Sequence, residues 1–314
     1  MAGSKSVVIA ALIANGAIAV MKFLGYLLTG SPSMLSETYH SISDTGNQVF
    51  LLVGIRYSSK DPDRQHPFGY GKSQFFYSFL VAVMLFGIAG WESAKHGYNA
   101  IMHPGHGAGY QMVDFLGFSF NSVWVNVVVL VGAIAFETYA FVKANGELQR
   151  QIDEFEWSGI PEAFRKTSDV TTLTAFTEDA IALGGAAIAL VGVLLSYFLD
   201  APIYDAVASL VIGFLLMGFA IALAWENKRL LIGESLPKDI EEKLEAVIAD
   251  HPGVTGIDSF RSVYVGAEKA LVTAEVRFDG ELVTGDIDED IAQLKSKLEA
   301  ADKRVSYVNI EPEV

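Results

Sequence analysis

Cysteine is absent from the 314 residues, which excludes disulfides, thiolate metal sites and cysteine nucleophiles and leaves His, Asp and Glu to hold any metal. Basic residues are scarce too: 22 Lys and Arg stand against 37 Asp and Glu, a formal net charge of −15, and no nucleic-acid partner is expected. There is no HExxH pair, nucleophile elbow or phosphate-cradling loop in the right context, so nothing supports an enzyme. A small-residue cleavage site after the first apolar run is also missing. That run is therefore expected to stay in the protein rather than be removed as a signal peptide.

Hydrophobic residues make up 51% of the chain, with a positive mean hydropathy, more than a soluble domain needs for its core. They gather in six stretches, residues 6–29, 33–57, 74–99, 115–142, 170–199 and 203–225, each long enough for a helix of about 20 residues to cross a bilayer. Pro and Gly mark tight outer turns at Thr29-Gly30-Ser31-Pro32 and Asp200-Ala201-Pro202. The bases fall on alternate sides: Arg56, Lys60, Arg64 and Lys72, then Lys143, Arg150, Arg165 and Lys166, then Lys228 and Arg229. With Lys5 near the start, the positive-inside rule places both termini in the cytoplasm of a multi-pass cell-membrane protein. The polar loop 145–168, with Phe155 and Trp157, is expected to hold a short amphipathic helix at the interface.

After Glu234 the pattern changes. The last 81 residues hold 19 acids against 9 bases, a net of −10, and the first 233 carry the other −5; a solvated acidic surface accounts for this. Helix 238–250, strands 254–265 and 270–278, helix 286–301 and strand 305–310 make an αββαβ, ferredoxin-like order. The expected architecture is a membrane all-α bundle of six transmembrane helices over residues 1–230, followed by a small cytoplasmic α/β domain over 231–314.

The chemistry lies inside the apolar stretches. Glu37, His40 and Asp44 share one face of the second stretch, because Glu37 and Asp44 are about 20° apart and His40 and Asp44 about 40° at 100° per residue. Three ionisable groups at membrane depth imply a polar cavity or a cation to neutralise them. A buried hydrogen-bond network between helices is the alternative. Imidazole with carboxylates suits zinc and accommodates manganese, iron or cobalt.

The fifth stretch supplies the partner, Glu178-Asp179, whose adjacent side chains cannot share a face. Asp179 with His40 and Asp44 makes three ligands, and Glu178 or Glu37 a fourth. Glu137 in the fourth stretch is a candidate proton relay or a pairing group, and Lys22 and Asn15 are polar groups at depth that call for partners. Asp205 is placed to cap the sixth helix. Asp63 and His66, three residues apart in the loop after the second stretch, form a candidate second metal site or a shaped turn that packs on the soluble domain. His96, His103 and His106 cluster by an outer loop without need of a role.

These residues resemble the cation diffusion facilitator family over nearly the whole chain. The likeness rests on Asn15, Lys22 and Gly25, on His40 and Asp44 in an HxxxD pattern, on His66-Pro-Phe-Gly-Tyr-Gly-Lys72, on Tyr204-Asp205 and on the αββαβ tail. It implies six membrane helices, a cytoplasmic domain that supports a homodimer, and proton-coupled efflux of a divalent metal by alternating access, with no cofactor beyond the transported ion. Family members commonly carry HxxxD in the fifth helix as well, whereas here Ala175 stands four residues before Asp179. The run Leu173-Thr-Ala-Phe-Thr-Glu178-Asp179, with Ser43-Asp44-Thr-Gly-Asn47-Gln48 and Lys60-Asp-Pro, resembles the zinc transporter nine-like branch. Zinc is the favoured cargo and manganese, iron or cobalt the alternatives. A scaffold or sensor that binds metal without transporting it is the rival reading.

Overall fold

The computed structural model describes residues 2–103, 112–115, 118–154, 157–166, 170–267 and 269–313. It forms two compact units, residues 1–53 with 77–225, and residues 54–76 with 226–314.

The first unit is helical. Its elements belong to α1 (Ala2–Thr29), α2 (Pro32–Ser58), α3 (Ser73–Met102), α4 (Val123–Glu154), the short α5 (Ile160–Lys166), α6 (Val170–Phe198) and α7 (Ile203–Ile232). Among the described residues α3, α4, α6 and α7 are long and apolar enough to cross a membrane, and α1 adds a shorter apolar stretch, Asn15–Thr29. Large apolar side chains such as Leu27, Val128, Phe214 and Ile221 point outward, which suits lipid and not water. Gly30, at φ 65°, ends α1 as its N–H bonds the Tyr26 carbonyl.

Small residues set the helix spacing, as expected where lipid removes the hydrophobic drive between helices. A Cβ on Gly97 would lie 2.5 Å from the Leu210 amide nitrogen, and one on Gly213 would lie 2.4 Å from that of Ala94, so α3 and α7 touch backbone to backbone. A π-helical turn, Leu85–Gly90, interrupts α3 just before this contact. Met34, Ala82, Leu130, Ala189, Ile212 and Leu216 fill the core between α2, α3, α4, α6 and α7.

The fourth helix departs from expectation. The apolar stretch 115–142 predicts its start too early: it begins at Val123, because Met112–Phe115 and Phe118–Asn121 pair as antiparallel strands β1 and β2 and the Asn121 side chain accepts the Val123 N–H at 3.0 Å. It then continues to Glu154, supported by Arg150 bound to Glu147 and Glu154. Most of the expected interfacial helix therefore belongs to α4, and only α5 stands alone. Trp157 packs with Leu148, Ile152 and Ala163; Phe155 lies outside the described residues.

The second unit has the αββαβ order: α8 (Lys238–Ala249), β3 (Val254–Gly266), β4 (Lys269–Phe278), α9 (Thr284–Ala301) and β5 (Val305–Glu313). The strands lie in the order β3-β4-β5, β3 antiparallel and β5 parallel to β4. Alternation along β4 buries Ala270, Val272, Ala274, Val276 and Phe278 together with Leu244, Ile248, Leu294 and Leu298 of the helices.

The loop before α3 belongs to this unit. Asp63 builds it by accepting the backbone N–H groups of Gln65 and His66 at 2.9 and 2.7 Å and the Tyr70 hydroxyl at 2.6 Å. Those bonds, the Tyr70 bond foremost, hold the Asp63 carboxyl below its ordinary pKa of 3.8. The loop then meets the sheet: Phe68 stacks edge-on to Tyr307 at 5.4 Å, and a Cβ on Gly71 would lie 2.6 Å from both Gly266 Cα and the Val265 carbonyl.

Candidate metal centre

The polar face of α2 packs on α6. Glu37 sits where a Cβ on Gly185 would fall 2.7 Å from its Oε1. Seven residues on, Asp44 is within electrostatic reach of Glu178. Advancing seven residues on α2 thus retreats seven on α6, so the two helices are antiparallel and these contacts are two turns, about 10 Å, apart. His40 sits between them.

Lys22 of α1, 1% exposed, donates to Glu37 Oε2 at 2.8 Å and to the Ser41 hydroxyl at 2.9 Å. Glu37 keeps Oε1 without a hydrogen-bond partner. At the other end Asn47 donates through Nδ2 to both Glu178 oxygens, at 2.9 and 3.0 Å. Between these two layers His40 is 1% exposed and neither ring nitrogen has a hydrogen-bond partner, although Nδ1 lies 3.3 Å from Asp44 Oδ1. A buried polar atom left unpaired costs about 1–3 kcal/mol. Such an arrangement fits a place where a ligand completes the bonding, and imidazole nitrogen beside carboxylate oxygen is a zinc-type donor set.

The structure sorts the expected ligands. His40 stands beside Asp44, and Glu178 rather than Asp179 is turned to α2, where Asn47 binds it. Asp179 is half-buried, within electrostatic reach of Glu178 and of Glu137 on α4. Glu137 is buried and also near Lys22 and Glu37. Among the described residues no three His, Asp or Glu side chains converge tightly enough to enclose an ion. Asn47 was missed as a contributor. Its signal was available, since 40, 44 and 47 follow the i, i+4, i+7 spacing of one helix face.

The family model of the cation efflux transmembrane domain matches residues 8–232. The chain belongs to the cation efflux family. It is accordingly a multi-pass membrane protein, and this family is one of transporters. The mitochondrial proton-coupled zinc antiporter SLC30A9 is 31% identical in Xenopus laevis, over 90% of this chain and 48% of that protein, and metal tolerance protein C4 of Arabidopsis thaliana is 26% identical over 89% and 58%. The chain spans about half the length of these curated relatives. Within the family it stands near the zinc transporter nine-like branch. A solved MamM CTD in a nickel form matches 25% of this chain and 98% of its own, at 17% identity and a TM-score of 0.24.

Within this cation efflux protein the other expected residues have defined places. Asp205 does not cap its own helix: it accepts the Ser33 N–H at 3.2 Å and the Ser33 hydroxyl, so it caps the start of α2. The reason is tertiary, because α7 lays its first turn against the α2 N-terminus, where unpaired N–H groups attract a carboxylate. Asp63 and His66 are about half exposed and 3.4 Å apart, but Asp63 spends both oxygens on the turn. His96 and His103 border a recess of about 380 Å³ with Pro32, Asn99 and Ala100; His106 lies outside the described residues. His251, the one histidine of the tail, is buried between Asp290 at 3.2 Å and Lys297 at 3.0 Å.

Proposed function

We propose that this chain exports a divalent metal ion, zinc in preference to manganese, iron or cobalt, from the cytoplasm in exchange for protons. The observation that carries the reading is His40, wholly buried with both ring nitrogens unpaired, beside Asp44 and the Glu178 that Asn47 holds. Metal enters between α2 and α6 and binds His40, Asp44 and Glu178, the carboxylate already turned to α2, with Asp179 joining as the bundle changes conformation to take the place of the histidine that Ala175 replaces. Protons compete with the metal for the same lone pairs, so exchange follows from the ligand chemistry as the bundle alternates its access. The reading places both termini in the cytoplasm, all six long helices across the cell membrane, and the αββαβ domains of two copies together in a homodimer. The relatives named as proton-coupled zinc antiporters support it.

In proteoliposomes loaded with a zinc-sensitive dye, Asp44→Ala and Asp179→Ala are expected to abolish uptake, and normal transport by both variants would sink the site. Competition among zinc, manganese, iron and cobalt, with and without a pH gradient, ranks the cargo and tests the exchange. The residue Ala175 favours one rival, a metal-binding scaffold that does not cycle. Zinc binding without flux or proton movement would select it.

A further inference from the structure

We infer that Lys22 is a specificity-determining residue: a resident cation that withholds Glu37 from the metal donor set and so biases the centre toward zinc and against harder divalent ions. This rests on the metal site proposed above. Lys22 and Glu37 are 1% and 0% exposed and paired at 2.8 Å, and the Ser41 hydroxyl, one residue from His40, accepts a second bond from the ammonium. No water-facing escape is open to either group. The pair stands one helical turn from His40, whose nitrogens are unpaired, and Glu37 holds one unpaired oxygen of its own.

Glu37 is therefore close enough in sequence and on the right face to join His40, but the ammonium holds its Oε2 and neutralises its charge, leaving Oε1 a weakened donor. With Lys22 in place the donors are one imidazole and the carboxylates around Asp44 and Glu178. Four-coordinate zinc is satisfied by such a set. Manganese and other hard cations take more oxygen ligands and gain most from an added carboxylate. Removing the charge of Lys22 would release that carboxylate beside His40. The Gly185 backbone leaves the room that Glu37 already uses and would oppose any larger displacement toward α6.

The test measures zinc and manganese binding to the full chain in detergent, with transport of each ion in proteoliposomes, for the wild type, Lys22→Met, Lys22→Gln, Glu37→Gln and the double variant Lys22→Met/Glu37→Gln. Lys22→Gln removes the charge that holds Glu37 while keeping a polar side chain beside Ser41, and guards against loss of folding in Lys22→Met. Both Lys22 variants are expected to lower the zinc-to-manganese affinity ratio about tenfold, while Glu37→Gln alone leaves it unchanged and the double variant restores the wild-type ratio. A purely structural role for Lys22 would alter stability and not this ratio. Folded Lys22→Gln protein with the wild-type ratio overturns the inference, as does a double variant that keeps a lowered ratio. The underlying site reading fails separately, and takes the inference with it, if Asp44→Ala binds zinc as the wild type does.

Discussion

Two histidines are buried to almost the same degree, His40 in the helical unit and His251 in the αββαβ unit, at 1% and 4% exposure, yet their surroundings are opposite. His251 has both ring nitrogens bonded, to Asp290 and Lys297. His40 has neither. A satisfied buried polar group holds a fold together, whereas an unsatisfied one reduces stability and persists for another purpose. The tail's histidine is structural by this measure, and the helix's histidine keeps the free bonding capacity that the proposed function uses.

The sharpest way to break the comparison is His40→Leu. It should abolish metal transport while leaving the melting temperature unchanged or raised, because an apolar side chain of similar size removes unpaired polar atoms. Excess zinc, at about 100 times its Kd, should stabilise the wild type by about 2.7 kcal/mol and leave His40→Leu unaffected in a thermal melt. Equal stabilisation of both proteins would place the metal elsewhere.

His251→Leu should do the reverse. It breaks the bonds to Asp290 and Lys297, costs about 1–3 kcal/mol and retains zinc binding at the helices, as denaturation and calorimetry would report. Gly71→Val should cost a similar or smaller amount, about 1–3 kcal/mol from overpacking, since any side chain there meets the Gly266 backbone. Faster proteolysis between residues 59 and 72 would register the lost docking, and unchanged cleavage would refute it.

The smallest effect concerns pH. The Asp63 carboxyl has a folded pKa below its ordinary 3.8, chiefly through the Tyr70 hydroxyl. Its contribution is complete above the ordinary value and is lost as pH falls through the lowered one. Protease resistance of the loop should thus hold from pH 7 to 5 and decline only below about pH 4. In Asp63→Asn that acid-dependent decline should vanish; a decline at pH 6 in the wild type would assign the titration to another group.

Much of this molecule was legible in its residues. Long apolar stretches, the spacing of Glu37, His40 and Asp44, and the alternation along β4 are local periodicities, and the backbone turns each one directly into a helix, a face or a strand. The β1–β2 pair escaped this reading because a short apolar run ahead of a longer one has no period of its own. By its residues alone the polar loop is a candidate both for docking on the tail and for binding metal. Only the folded chain shows Asp63 committed to the turn and Gly71 pressed on the sheet.

Residue order alone sets on which face of α2 Glu37, His40 and Asp44 stand. Helix packing settles who meets whom: Lys22 takes Glu37, Asn47 holds Glu178, and Asp205 caps a helix other than its own. The physical reason is that side-chain direction follows from helix pitch, which is local, while the partner across the interface depends on which helices pack and in what register. Those are set by contacts such as Gly97 on Leu210 and Glu37 on Gly185, between residues more than a hundred positions apart.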